Sequence, residues 1–274
     1  MKMEKKIERA ARRVRHELKF RLLQVSAVKH VTPRLLCVTL KGDDLEGFAS
    51  AAHDDHIKVF FPGPGQERPV VPTPGPNGMV FPEGQPRPPA RDYTPRRYDA
   101  SAGELDIEFA LHGDGPAAEW AEQARVGQYL GIGGPRGSFV MEGDFDGYLL
   151  VGDETALPAI ARRLEELPAG APVRVVAEVE NAQEEQVFET RAEVQVTWLH
   201  RQGARAGDPG LLTAAVAALP KPAGDWYAWV AAESGVAKRV RQVLVENWQV
   251  PKEWIKAAGY WKQGAAATHD RHED

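Results

Sequence analysis

The stretch Gly147-Tyr148-Leu149-Leu150-Val151-Gly152-Asp153-Glu154-Thr155-Ala156-Leu157-Pro158-Ala159 decides how the chain is divided. Residues 148–152 form a short, unbroken apolar run of the kind buried on both faces of a parallel sheet, and 157–167 follow with apolar residues at helical spacing. Downstream, strands are predicted at 173–179, 194–200 and 226–233, with helices at 211–219 and 235–248. This alternation is the pattern of a parallel sheet flanked by helices. Ligands of such sheets bind beyond the carboxyl ends of the strands. Gly152-Asp153-Glu154-Thr155, His200-Arg201 and Glu233-Ser234 are therefore expected to converge around a nucleotide crevice.

Upstream the rhythm differs. Between residues 20 and 139 short β-rich runs (35–40, 56–61, 105–111, 129–132) are separated by Gly and Pro, which predicts an antiparallel barrel or sandwich. The Pro/Gly-rich segment 62–89 reads as a long surface loop, because proline has no N–H for a central ladder. The expected organisation is a basic leader (1–19), a β-barrel domain (20–146), an α/β domain with a C-terminal segment (147–264) and a disordered polar tail (265–274). In the leader, Ile7, Ala11, Val14 and Leu18 fall at helical spacing and admit an amphipathic arm. A solvated, frayed leader is the preferred reading, since termini are usually mobile. The tail's His269-Asp270-Arg271-His272 resembles a metal site only superficially, and no metal is expected.

The 274 residues are 43% hydrophobic and 27% charged, enough for two ordinary cores. A net charge of −5 argues against a surface coated for nucleic-acid phosphates, so any anion site is local. The single cysteine, Cys37, excludes an intramolecular disulfide, a multi-cysteine zinc site and the four thiolates of an iron–sulfur cluster. It lies in Leu35-Leu36-Cys37-Val38 and is read as a core thiol without chemistry. No secretory h-region and no run of roughly 20 apolar residues is present, so no integral membrane association is expected and the cytoplasm is the default location.

Two segments carry chemistry. In Arg91-Asp92-Tyr93-Thr94-Pro95-Arg96, alternation along a strand puts Arg91 and Tyr93 on one face. A guanidinium suits a diphosphate, an aromatic ring suits a flat heterocycle, and Thr94 can hydrogen-bond a ring edge. In His112-Gly113-Asp114-Gly115-Pro116-Ala117-Ala118-Glu119-Trp120-Ala121 a strand ends in a glycine-rich turn and Pro116 opens a helix. Free N–H groups and the helix dipole at such a start hold phosphate without a cation, although a plainly capped helix would read the same way.

These two segments, in this order and ahead of an α/β domain, resemble the ferredoxin-reductase arrangement. Over nearly its whole length the chain more specifically resembles the siderophore-interacting protein family. The resemblance rests on those two strings together with Asp54-Asp55-His56-Ile57-Lys58-Val59-Phe60-Phe61-Pro62, Gly133-Gly134-Pro135-Arg136-Gly137-Ser138-Phe139, residues 152–159, Trp198-Leu199-His200-Arg201 and Gly259-Tyr260-Trp261-Lys262. Ala118 departs from the wider ferredoxin-reductase pattern, where a Ser or Thr hydroxyl commonly supports the pyrophosphate, so backbone N–H groups must do more there.

The resemblance implies an FAD-dependent reductase of ferric siderophores. FAD would be held by Arg91, Asp92, Tyr93, Thr94, Ala110, His112, Gly115, Pro116, Ala117 and Ala118, with Tyr260 or Trp261 covering the flavin. A nicotinamide delivers electrons in pairs and ferric iron takes one, so a flavin is needed to convert between them. Ferrous iron is released because oxygen-donor chelators hold it weakly. Lys58, Lys262 and Arg136 are candidates for a basic rim that attracts an anionic ferric siderophore, with a structural role at the domain junction equally open for Arg136. His56 and Asp55 are read as structural rather than as an acid/base pair. The donor would be NADPH or NADH, bound through Asp153, Thr155, Ala156 and Glu233, with Arg201 offered to a 2′-phosphate or simply a surface arginine; a ferredoxin donor stays open. Competing readings are a flavin oxidoreductase with another acceptor, a noncatalytic siderophore carrier, and an adaptor acting through the leader. Removing the leader is expected to leave reductase activity intact.

Overall fold

Leu23 and Val25, and across the following turn Leu36, Val38 and Leu40, point to one side of their strands and are buried, while intervening residues face outward. That alternation builds the first of two units. The computed structural model describes residues 9–76, 78–111 and 115–264 and the backbone at 270–271. The first unit ends at Gly143 and the second begins at Asp144.

In the first unit the strands are β1 (Ala11–Arg15), β2 (Phe20–Thr32), β3 (Leu35–Lys41), β4 (Ile57–Phe60), β5 (Thr73–Gly75), β6 (Gly78–Val80), β7 (Ala90–Tyr93), β8 (Pro95–Asp99), β9 (Glu104–Ala110), β10 (Tyr129–Gly133) and β11 (Gly137–Met141), with helix α1 at Pro116–Glu122. Seven of them form an antiparallel sheet in the order β7-β4-β10-β2-β3-β9-β8. Its two edge strands, β7 and β8, are separated in sequence by Thr94 alone. The sheet therefore has to curl into a half-barrel whose edges come together at the Arg91–Arg96 segment, without a ladder between β7 and β8 among the described residues. Pro95 starts an edge strand, where its missing N–H interrupts no central ladder. Inside lie Leu23, Val25, Val38, Leu40, Ile57, Val59, Leu105, Ile107, Leu130 and Ile132.

Two expectations change here. Ala11–Arg15 is neither a helical arm nor a frayed leader: its side chains are mostly exposed, but it pairs antiparallel with Gly137–Met141, and a strand's unpaired edge outweighs weak helical spacing. Behind this ribbon His16 Nε2 lies 2.7 Å from Ser138 Oγ, which donates to Asp55 Oδ2 at 2.6 Å. Asp55 also accepts from Ser50 Oγ (2.8 Å) and Ala52 N (3.1 Å), which gives this buried carboxylate the partners it needs. Cys37 is only half-buried, because Leu36 and Val38 take the core face of β3 and turn it outward. Burial, and then the Asp106 and Glu108 carboxylates, push its thiol up to about 12, so it remains unreactive. The 62–89 segment is a loop bearing the small β5–β6 hairpin, pinned by Arg68 over the Tyr129 ring (4.2 Å) and by Phe81 edge-on to Phe60 (6.2 Å).

The second unit contains β12 (Gly147–Gly152), α2 (Leu157–Glu166), β13 (Pro172–Val179), β14 (Glu193–His200), α3 (Pro209–Ala218), β15 (Trp226–Glu233), α4 (Ser234–Asn247), β16 (Ile255–Trp261) and β17 (Asp270–Arg271). Strand order is β14-β13-β12-β15-β16-β17, parallel through β16, with β17 antiparallel at the edge. Asp270–Arg271 thus adds to the sheet, where a disordered tail was expected; 265–269 and 272–274 lie outside the described residues. The order reverses between β12 and β15, which sets a topological switch point beyond Gly152 and Glu233. Gly152 is required there by close approach: a Cβ would sit 2.4 Å from that of Ala156 and 2.7 Å from the Ala231 carbonyl. No helix among the described residues is long and apolar enough to cross a membrane.

Ser138→Ala should lower stability by about 1–3 kcal/mol, the cost of leaving a buried carboxylate short of a donor. Deleting residues 1–19 should lower the melting temperature further, because it also exposes the β11 edge. Chemical and thermal unfolding measure both effects, and a deletion variant as stable as the full chain would contradict the pairing.

Candidate functional site

The first unit joins its two chemistry-bearing segments through aromatic rings. Tyr93, last residue of β7, packs on Phe109 (centroids 4.5 Å apart), and Phe109 meets Trp120 of α1 at 5.6 Å. Phe61 closes the cluster, 5.8 Å from Trp120 and 6.5 Å from Tyr93. Such tilted and edge-on pairs add about 0.5–1.5 kcal/mol each beyond area burial. Strand β7 and the start of α1 are therefore held on one floor although more than twenty residues separate them. Burial lifts the Tyr93 hydroxyl above the ordinary phenol range, which keeps it neutral.

Around this floor the donors are of the type an anionic, flat cofactor needs. Arg91 is half-buried, with Nη1 donating to the Ala90 carbonyl at 2.8 Å, and Thr94 is buried at the closure. Gly115 precedes α1 with φ near 149°, a region that favours glycine, and open space beside its Cα leaves room at the helix start. Pro116 opens the helix, Ala117 turns its methyl into the core and Ala118 is partly exposed. Ala110 ends β9. His112 lies outside the described residues. The residues present fit a flavin dinucleotide: a guanidinium, helix-start N–H groups and an aromatic floor.

Lys58 and Asp92 were expected to face different ligands. They are directly opposed on β4 and β7, and Lys58 Nζ meets Asp92 Oδ1 at 2.7 Å. Lys58 accordingly does not present an uncompensated charge. It also opposes Gly133 of β10, and Arg136 follows three residues later as an exposed side chain, so these two cations belong to the same end of the sheet.

In the second unit the predicted convergence occurs, but most of the polar groups are committed to each other. Asp153 Oδ1 accepts from Thr155 N (3.0 Å) and Thr155 Oγ1 (2.5 Å); Oδ2 accepts from Glu233 N (3.1 Å) and Trp261 Nε1 (2.8 Å). Glu233 Oε2 caps α4 through Gly235 N (2.6 Å) and Val236 N (3.2 Å). Ala156 is buried before α2. Trp261 and Tyr260 alternate along β16. Trp261 bonds Asp153, whereas Tyr260 lies edge-on to Trp229 at 6.1 Å, so the two rings do not serve one surface. Lys262 is exposed just beyond.

Arg201 is the principal correction. Expected as a surface side chain or a phosphate ligand, its side chain is 4% exposed and bidentate to Glu154 at 2.5 and 2.7 Å, with Glu178 at 3.4 Å and Glu180 at 3.5 Å. Burial opposes its charge, but the Glu154 and Glu178 carboxylates raise its pKa above that of an ordinary arginine. Burial, then the Asp153 charge, pushes Glu178 up to about 7 against the pull of Arg201. Glu154 was placed at the crevice without a role, and Glu178 and Glu180 were missed from the sequence. Their signal was present: two glutamates close an otherwise apolar buried strand in Val175-Val176-Ala177-Glu178-Val179-Glu180.

Comparison with known proteins agrees with this division. Residues 24–139 match the family model for the siderophore-interacting FAD-binding domain, and residues 145–264 that for the siderophore-interacting protein. The NADPH-dependent ferric-chelate reductase of Escherichia coli is 38% identical over 92% of this chain and 97% of its own length. The ferric vibriobactin reductase ViuB of Vibrio cholerae is 35% identical over 89% of this chain and 90% of its own. A siderophore utilization protein from T. fusca superimposes with a TM-score of 0.88 at 38% identity, over 94% of this chain and 98% of that one. With two units built as described and relatives matched nearly end to end, the chain belongs to the siderophore-interacting protein family.

Proposed function

We propose that this protein is an FAD-dependent ferric-siderophore reductase that draws electrons from NADPH or NADH, acts in the cytoplasm and releases iron from its chelate. The observation that carries the reading is the aromatic contact from Tyr93 through Phe109 to Trp120, which puts the Arg91 strand and the Gly115 helix start on one floor. The names of the Escherichia coli and Vibrio cholerae relatives supply the substrate class. Bound FAD would accept an electron pair and pass electrons on singly.

The chain's own contribution is positional and electrostatic. Arg91 and the N–H groups of Ala117 and Ala118 would hold the pyrophosphate, and Tyr93 would shield one side of the ring system. Thr94, at the sheet closure, would fix the ring edge by a hydrogen bond. The ferric chelate is substrate, and outer-sphere transfer asks only that it approach closely. Arg136, exposed at the end of the sheet where Lys58 lies, would attract an anionic chelate, and Lys262 is a separate candidate on the second unit; Lys58 is compensated by Asp92 and contributes chiefly by keeping that carboxylate from repelling the chelate. A ferredoxin could replace the nicotinamide as donor without altering these roles.

Purified protein should be yellow, and anaerobic NADH or NADPH should bleach it. A ferric siderophore should then restore the colour as a ferrous-specific chelator develops its own. Arg91→Ala should weaken FAD retention by about tenfold or more, the equivalent of one charge-assisted hydrogen bond, measured by flavin released on dilution. Lys58→Gln with Arg136→Gln should lower kcat/KM for an anionic ferric chelate by about tenfold at low salt while sparing a neutral quinone, and the difference should shrink as salt is added. Equal loss for both acceptors would remove the basic rim from the account.

A further inference from the structure

We propose that the carboxylate-rich end of the second unit sets the choice of donor: this chain uses NADH in preference to NADPH, with Glu180 as a specificity-determining residue. This deepens the reading of the second unit as a nicotinamide-nucleotide domain and rests on it. The two donors differ by one phosphate monoester on the adenosine ribose, which brings a charge of about −1.5 to −2 near neutral pH.

Where a parallel sheet binds a dinucleotide at its first strand–helix turn, the ribose reaches the end of the second strand. A carboxylate there accepts from the 2′-hydroxyl and repels a 2′-phosphate, whereas a phosphate-accepting site offers an arginine instead. Here β12 is the first strand and its parallel neighbour β13 the second, and Glu180 immediately follows the last residue of β13. Glu180 Oε1 accepts from Gly203 N at 2.8 Å, which fixes the carboxylate at the strand end.

The arginine that could have answered a phosphate is withdrawn. Arg201 is gripped by Glu154 and neighboured by Glu178 and Glu180, so three carboxylates face one guanidinium. Releasing it to a ligand would leave buried carboxylates without their counter-charge, and its own Nε is already buried without a partner. Glu154 and Glu180 keep 16% and 17% of their side-chain surface exposed, so their charge acts on whatever approaches from solvent. A competing cation exists in the next loop: Arg205 is exposed and faces the side-chain amide of Gln263, a neutral partner.

The test is the reductive half-reaction of the purified holoprotein, followed anaerobically as loss of oxidised flavin absorbance with NADH and with NADPH, without any iron acceptor. NADH should be faster by about tenfold or more in second-order rate, the worth of one charged contact. Glu180→Gln should bring the ratio toward one, Glu180→Arg should reverse it, and Arg205→Ala should leave it unchanged. Because a variant that loses flavin is uninformative about donors, flavin content is measured alongside and the wild-type ratio decides by itself. Equal rates, or faster reduction by NADPH, would overturn this inference and leave the reductase reading standing. Reduction by neither nucleotide would instead overturn the donor assignment on which it rests.

Discussion

A charge removed from water must be answered by a partner inside the protein, and that constraint organises both units. In the first, Asp55 is answered by Ser138, Ser50 and a backbone N–H, and through Ser138 the answer extends to His16. In the second, Arg201 draws three carboxylates to the ends of β12 and β13, and Asp153 ties β12 to β15 and to the Trp261 indole. Removing Arg201 from its carboxylates costs about 3–5 kcal/mol, because they are left buried and uncompensated, and removing a neutral donor such as Ser138 costs the smaller amount of one hydrogen bond to a buried carboxylate. The residues are thus held to one geometry whether or not they also touch ligand.

This separates two ways of building a binding surface within one chain. The surface of the first unit that would suit a flavin is made largely from shape and backbone: an aromatic floor, a helix start with room beside Gly115, and a guanidinium at its side. The strand ends of the second unit are crowded with carboxylates. Such crowding disfavours any anionic group that approaches those strand ends.

Much of this was legible in the sequence for definite reasons. Helices and strands of the second unit fall within a few residues of their periodicity because buried parallel strands and amphipathic helices leave strong local patterns. The Arg91–Arg96 and His112–Ala121 segments could be singled out as candidates for chemistry because a motif is a local object. The strand at Ala11–Arg15 was not, since five basic-rich residues become a strand only when the β11 edge is offered to them. Phe61, Phe109 and Trp120 carried no signal as a unit, because aromatic contact between distant positions has no spacing.

What the sequence by itself determined is the order and class of the main elements, those at Ala11–Arg15, in the 62–89 loop and at Asp270–Arg271 excepted, together with the two-part organisation and the chemistry available at each motif; hydrophobic periodicity, glycine and proline are sufficient for that. Only the tertiary structure decided which of those groups remain available to a ligand. Lys58 could be known as a cation but not as the partner of Asp92, and Arg201 could be brought near the Glu154 turn by topology but not known to be buried and bidentate to its carboxylate. The physical reason is that composition fixes charge, whereas the energy of a charge depends on what lies within a few ångströms of it, and that neighbourhood is assembled from residues far apart along the chain.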